Sequence, residues 1–423
     1  MKRFLLFLVL ALATQLPSAF ADRIYIPMDV EKQVAHLKAY GVAYAALATG
    51  TEVDWLLNYE GGSFAILQSP AMERLCKLRG VTYEVIGESR YNGIVSEIAN
   101  PDFNGDVVRL QKPPRIAVYT PGGKQPWDDA VTLVLTYAEI PFDKLYDDEL
   151  LADKLHEYDW LHLHHEDFTG QYGKFWAQFR GAAWYQEDQR AAEALAAKHG
   201  FRKVSALKLA VAQRIRDFVA GGGYLFAMCS ATDSYDIALA AKNTDICDVP
   251  FDGDPIAPDA QQKLDFTQSF AFKDFQLVTN PYEYEFSSID NTQAHGSRIP
   301  MNMDYFTLFT FSAKFDPVPT MLCQNHTTTV KGFMGQTTAF KKEVLKQNVL
   351  VMGEFKPTNE ARYIHGEFGK GTFTFYGGHD PEDYQHQVGD PPTDLSLHPT
   401  SPGYRLILNN VLFPAAKKKP RKT

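Results

Sequence analysis

The feature that most restricts the fold is an alternation, from residue 113 onwards, of short apolar runs with helix-length segments. Ile116-Ala117-Val118-Tyr119 reads as a buried strand, and residues 127–138 as a helix with Trp127, Val131, Val134 and Ala138 on its buried face. Residues 142–146 and 158–163 read as further strands. A long helical region closes with residues 205–219, where Leu207, Val211, Ile215 and Phe218 recur at helical spacing. Gly221-Gly222-Gly223 stops that helix, and residues 224–228 form the next strand. Strands alternating with helices predict an α/β fold whose parallel sheet is covered on both faces.

The flanking regions have different textures. Residues 22–112 read as a small N-terminal α/β domain. It has a strand at Ile24-Tyr25-Ile26, a helix over 31–48 with His36, Leu37, Tyr40 and Tyr44 on one stripe, a helix opened by Ser69-Pro70, and a strand over 81–86. Lys112-Pro113-Pro114 marks its end. Prolines, aromatics and alternation such as that over 306–311 predict a β-rich insertion at 251–345. The main domain, 113–250, then resumes over 346–415. It contains the turn Gly369-Lys370-Gly371, a strand over 372–376 and a final helix opened by Ser401-Pro402. Residues 416–423 form a basic, solvated tail.

The first 21 residues read as a secretory leader. Lys2 and Arg3 precede an apolar run over 4–16, and Ala19-Phe20-Ala21 supplies small residues where a signal peptidase cuts. The run is short for a membrane span, so the expectation is an exported protein, periplasmic or extracellular, with no membrane span. The formal net charge is −9, and loss of Lys2 and Arg3 makes the chain more acidic still. That balance excludes general nucleic-acid binding, which needs a basic face. The four cysteines, Cys76, Cys229, Cys247 and Cys323, lack both the spacing of a zinc site and that of a disulfide framework. In an oxidising compartment Cys229 and Cys247, the closest pair, could still bond.

Three segments carry chemistry. In Ala227-Met228-Cys229-Ser230-Ala231 a buried strand stops and a helix begins, with small residues flanking the cysteine as a nucleophile elbow requires. Asp233 lies in the first turn beyond it. The helix N-terminus would favour a thiolate and offer N–H groups to an oxyanion. The alternative is a buried structural cysteine. In Tyr376-Gly377-Gly378-His379-Asp380-Pro381-Glu382 another strand ends in polar residues. Parallel strands gather their C-terminal ends on one edge, which would bring His379 to Cys229. Asp380, Glu382 and Asp383 are candidates to orient the imidazole. The third segment is His162-Leu163-His164-His165-Glu166-Asp167, with His162 and His164 on one strand face. These histidines could bind zinc together with His379 or line a polar cleft. No zinc-type spacing is present, so no metal ligand is assigned. Trp160, Phe175, Trp176, Trp184 and Tyr185 could form a sugar platform or simply pack.

The order of these strands, the cysteine turn and the late histidine resembles the class I glutamine amidotransferase-like superfamily. Its G-x-C-x-G pattern is met here by Ala227-Met228-Cys229-Ser230-Ala231. The stretch from Gly369 to His379, with a terminal helix ending Leu408-Asn409-Asn410-Val411-Leu412, is similar to the trehalose-utilisation (ThuA-like) branch. The resemblance covers about residues 113–240 and 345–415 and implies a flavodoxin-like parallel sheet. Amidotransferases proper carry H-x-E; here the glutamate stands one residue further, in His379-Asp380-Pro381-Glu382. Over its whole length the chain is also similar to exported bacterial proteins labelled "asparagine synthetase B". The residues do not carry that chemistry. Lys2 stands where glutamine-dependent synthetases have cysteine, and their S-G-G-x-D-S loop is not found.

The expectation is therefore a Cys-dependent amide or acyl hydrolase acting in a strand-end cleft. Cys229, His379 and Glu382 would be catalytic, and His164, His165, Glu166, Asp167, Asp233 and Asp380 would bind substrate. The alternative is a non-catalytic binding protein for carbohydrate or another small molecule. Either way the partner is a small molecule, no cofactor is assigned, and nothing in the sequence sets an oligomeric state. N-terminal sequencing of the mature protein should begin at Asp22; an intact Met1 in the cell-envelope fraction would contradict cleavage.

Overall fold

The computed structural model describes residues 22–121, 129–290, 304–331, 339–382 and 391–417. Residues 1–21 (the expected leader), Trp127, Asp383 and the end of the basic tail lie outside the described residues. Two sheets organise the chain. The smaller contains β1 (Arg23–Ile26), β2 (Val53–Leu57), β3 (Ser63–Leu67), β4 (Glu84–Ile86) and β5 (Asp106–Leu110), in the order β4-β1-β3-β2-β5. Every pairing in it is antiparallel. The helix His36–Ala48 packs on this sheet and against the helices Ala130–Ala138 and Pro402–Leu412. It is buried nearly all round, not along a single stripe. A helix enclosed on all sides has no polar face to conserve, which is why Val42, Ala43 and Ala46 are apolar too.

The larger sheet has ten strands. They are β6 (Ile116–Tyr119), β7 (Asp143–Leu145), β8 (Trp160–Leu163), β9 (Tyr224–Met228), β10 (Tyr305–Leu308), β11 (Thr329–Lys331), β12 (Phe340–Lys341), β13 (Leu350–Phe355), β14 (Glu360–Phe368) and β15 (Gly371–Tyr376). The order is β11-β10-β13-β14-β15-β9-β8-β6-β7, with β12 beside β14. Neighbours from β15 to β7 pair in parallel, and the remaining pairs are antiparallel. The fold is thus α/β with a mixed sheet, which corrects the expectation of a parallel one. The reason is local: a tight turn at Gly369-Lys370 joins β14 to β15, and so short a link permits only antiparallel pairing.

Side chains alternate across the parallel strands. Trp160, Phe226, Met228 and Tyr376 face the helices His36–Ala48, Ala130–Ala138 and Pro402–Leu412. Leu161, Leu163, Leu225, Ala227 and Phe375 face Val204–Gly221 and Ala231–Ala240. The segment 251–345 adds β10, β11 and β12 to the large sheet and is otherwise mostly irregular among its described residues. Buried Asp236 organises part of it by accepting the backbone N–H groups of Phe270, Ala271 and Phe272 at 2.6, 2.7 and 3.0 Å. Ser69 and Ser401 cap their helices as their Ser-Pro pairs predict, accepting from Met72 N and Tyr404 N.

The two units meet closely at Gly41, where an added Cβ would lie 1.9 Å from the Ala138 carbonyl oxygen. Alanine is the better helix former by about 1 kcal/mol. Gly41→Ala should nevertheless destabilise the protein by ~1–3 kcal/mol, because backbone must move apart. A urea midpoint that stays or rises would contradict this close approach.

Candidate functional site

Parallel register brings the chemistry-bearing segments to one edge. Leu163 pairs with Ala227 and Met228 with Tyr376, so β8, β9 and β15 end almost level. Beyond them the three loops are bound together. Cys229 N donates to Gly378 O at 3.0 Å, and Ala231 N donates to His164 O at 3.0 Å. Ser230 Oγ donates to His165 O and Ser234 Oγ to Glu166 O, both at 3.1 Å. These bonds fix the backbone that carries the candidate residues.

The histidines converge. The rings of His164 and His379 lie 4.4 Å apart between centroids, those of His164 and His165 5.1 Å, and those of His165 and His379 6.1 Å. One nitrogen from each of His164, His165 and His379 lies within 4.8 Å of the others. His162 and His164 project on the same strand face as Trp160 and meet Asp129, which sequence reasoning missed. Asp129 Oδ1 stands 3.4 Å from His162 Nε2 and 3.3 Å from His164 Nδ1. The same oxygen accepts from Val131 N at 2.7 Å and Thr132 N at 3.0 Å, capping the helix Ala130–Ala138. Burial would raise this carboxyl, but His162 and His164 outweigh it and hold Asp129 well below the usual range. The available signal was an aspartate directly before an apolar run, a helix start. Placing that helix over 127–138 hid it.

Cys229 occupies the strand-to-helix turn with φ of 48°, a left-handed conformation strained for any residue bearing a Cβ. The residue is 3% exposed. Burial pushes its thiol up to about 12, Asp233 and Asp290 push in the same direction, and hydrogen bonding to Ser230 only partly offsets them. No disulfide joins Cys76, Cys229, Cys247 or Cys323, so the Cys229–Cys247 bond that sequence proximity allowed is not formed. Cys247 instead donates to Thr169 O at 3.2 Å.

The carboxylates divide between site and scaffold. Glu166 is buried, its Oε2 accepts His164 N at 3.0 Å, and burial raises it to about 7. Asp167 shapes its own loop by accepting Thr169 N and Oγ1, both at 2.6 Å, and Gly173 N at 3.0 Å. Asp233 is buried beside Cys229, and its Oδ1 accepts Ser234 N. Asp380 accepts Glu382 N, Thr393 Oγ1 and Tyr404 Oη at 2.8–2.9 Å, anchoring the turn after β15 to the last helix. Glu382 Oε2 lies 3.3 Å from His398 Nδ1.

The proposed sugar-platform residues also separate. Trp160 is core, stacked on Phe226. Phe175, Trp176 and Trp184 are half-buried; Phe175 and Trp184 pack with Phe179 and Tyr284, with Phe175 and Tyr284 5.3 Å apart, while Trp176 pairs with Tyr282. Burial, with the nearby Cys229 sulfur, holds the Tyr284 hydroxyl well above its ordinary pKa.

No family model and no curated protein matches the chain. Among solved structures it is similar to cytoplasmic protein STM3548 from Salmonella typhimurium, at 10% identity over 72% of this chain and 100% of that one, with a TM-score of 0.35. Cytoplasmic protein STM1381 from Salmonella typhimurium LT2 is 11% identical over 64% of this chain and 90% of its own, with a TM-score of 0.32. A beta-galactosidase from Bacillus circulans sp. alkalophilus is 10% identical over 64% of this chain and 29% of its own, with a TM-score of 0.24. At such scores these likenesses carry no argument about fold or function.

Proposed function

We propose that this is an exported protein with an amidotransferase-like, flavodoxin-type sheet that binds a small polar molecule, carbohydrate being the favoured class, at its strand ends. The observation that carries the reading is the convergence of His162, His164, His165 and His379 with Asp129 at the edge where parallel strands end. Ligands of open α/β sheets sit outside that edge. The aromatic group around Phe175, Trp184 and Tyr284 supports a carbohydrate, whose apolar ring faces pack on aromatic side chains. No helix among the described residues is long and apolar enough to cross a membrane.

In this reading Cys229 is a relic of the nucleophile position. A nucleophilic cysteine needs a depressed pKa and an electropositive, partly exposed setting. Cys229 has burial and two carboxylates instead. The cysteine-hydrolase reading, with His379 as base, draws support from the left-handed turn at Cys229 and from Ser230 hydrogen-bonding to the sulfur.

Iodoacetamide labelling, followed at the Cys229 peptide, separates the two. A thiol raised to about 12 holds roughly 10⁻⁵ of its population as thiolate at pH 7. Labelling should be slow below neutral pH and rise about tenfold per pH unit as the solution becomes alkaline. Fast labelling at pH 6 would overturn the binding reading in favour of the hydrolase.

A further inference from the structure

We propose that His164, His165 and His379 bind one divalent transition-metal ion of the zinc class, with Asp129 as the outer carboxylate that orients His164. The proposal rests on the reading of the strand-end edge as a ligand site and names the ligand that the imidazoles themselves take.

His164 is fully buried. Its Nδ1 lies 3.3 Å from Asp129 Oδ1, an ion-pair contact that falls short of a hydrogen bond, and its Nε2 likewise has no hydrogen-bond partner among the described residues. Leaving a buried polar atom unmet costs about 1–3 kcal/mol. A carboxylate on one imidazole nitrogen with the other left to coordinate is how proteins fix the tautomer and direction of a metal-binding histidine. Asp129 is itself immobilised by the two backbone N–H groups of its cap. His165 and His379 complete the set, with one nitrogen from each of the three within 4.8 Å. Tetrahedral zinc, at about 2.0–2.1 Å from each nitrogen, needs ligand atoms roughly 3.3 Å apart. Zinc binding would need the imidazoles to rotate to close that difference, while the loops carrying them are already bound to each other through Ser230, Ala231 and Cys229.

Donor chemistry selects the metal class. Three imidazoles suit zinc, copper, nickel or iron, whereas calcium and magnesium take oxygen ligands. Three protein ligands also leave a fourth position for water or a bound molecule. The acidic cluster of Asp245, Cys247 and Asp252 offers donors at similar range, but its carboxylates already pair with the Lys203 ammonium, with Nζ 3.0 Å from Asp252 and hydrogen-bonded to Asp245.

The test is zinc titration calorimetry and elemental analysis of the full-length mature protein, untagged and dialysed free of metal. The expected result is one zinc per chain, with magnesium giving no binding. His165→Ala and His379→Ala should each weaken zinc by more than about 100-fold, exceeding the 10- to 100-fold typical of outer-shell changes. Asp129→Asn, which keeps the helix cap, should fall within that outer-shell range. Far-UV circular dichroism of the metal-free variants checks folding. His165 is half-buried, so its variant carries the test if His379→Ala does not fold. Absence of stoichiometric zinc, or zinc binding unchanged in the His165 variant, would overturn the metal site. Neither result alters Cys229 labelling, so failure here is distinct from failure of the binding reading.

Discussion

Parallel pairing of β15, β9, β8 and β6 is the constraint on which the rest depends. Each of these strands enters from the same side of the sheet, so each must release its chain at the same edge. Segments more than 200 residues apart, His164-His165 and His379, meet there with Cys229 between them. The antiparallel additions on the other flank widen the sheet without disturbing that edge. The helix Ala130–Ala138 delivers its N-terminus to the same place, and Asp129 arrives with it.

Electrostatics then assigns the roles. Asp129 is a buried anion stabilised by two backbone N–H groups and two imidazoles, so it stays charged and draws positive charge toward it. Cys229, one loop away, has the reverse environment. Burial and the acids Asp233 and Asp290 disfavour a thiolate there, despite a helix N-terminus beside the sulfur. In the proposed reading the same edge would accept a cation or neutral polar ligand through its histidines, with the sulfur left protonated. A helix terminus adds about 0.3–1 kcal/mol to an anion near it, too little to offset full burial.

Much of the candidate site was legible because strands that stop in polar residues announce an edge. Tyr224–Met228 before Cys229 and Gly371–Tyr376 before His379 are apolar runs of strand length, and Trp160–Leu163 runs directly into His164. The helix starts at Ser69 and Ser401 were legible from side-chain caps paired with proline. What was not legible depended on tertiary placement. β2 and β3 are buried at nearly every position and show no alternation to mark their antiparallel sheet. Asp129 belongs to a different element from the histidines it serves, so no spacing along the chain points to it. The histidines lacked a zinc signature for the same reason: two of them adjoin one strand and the third ends another. Irregular backbone around Phe270 was hidden because its hydrogen bonds end on Asp236, a distant helical side chain.

The central claim is that the strand-end imidazoles form one ligand site. Anomalous diffraction at the zinc edge, from crystals of the mature protein grown with zinc, tests it most directly. The expected map has a single strong peak about 2.0–2.1 Å from one nitrogen each of His164, His165 and His379. It also has Asp129 on the far nitrogen of His164. A map without a peak at the strand ends, or with its only peak among Asp245, Cys247 and Asp252, would contradict it.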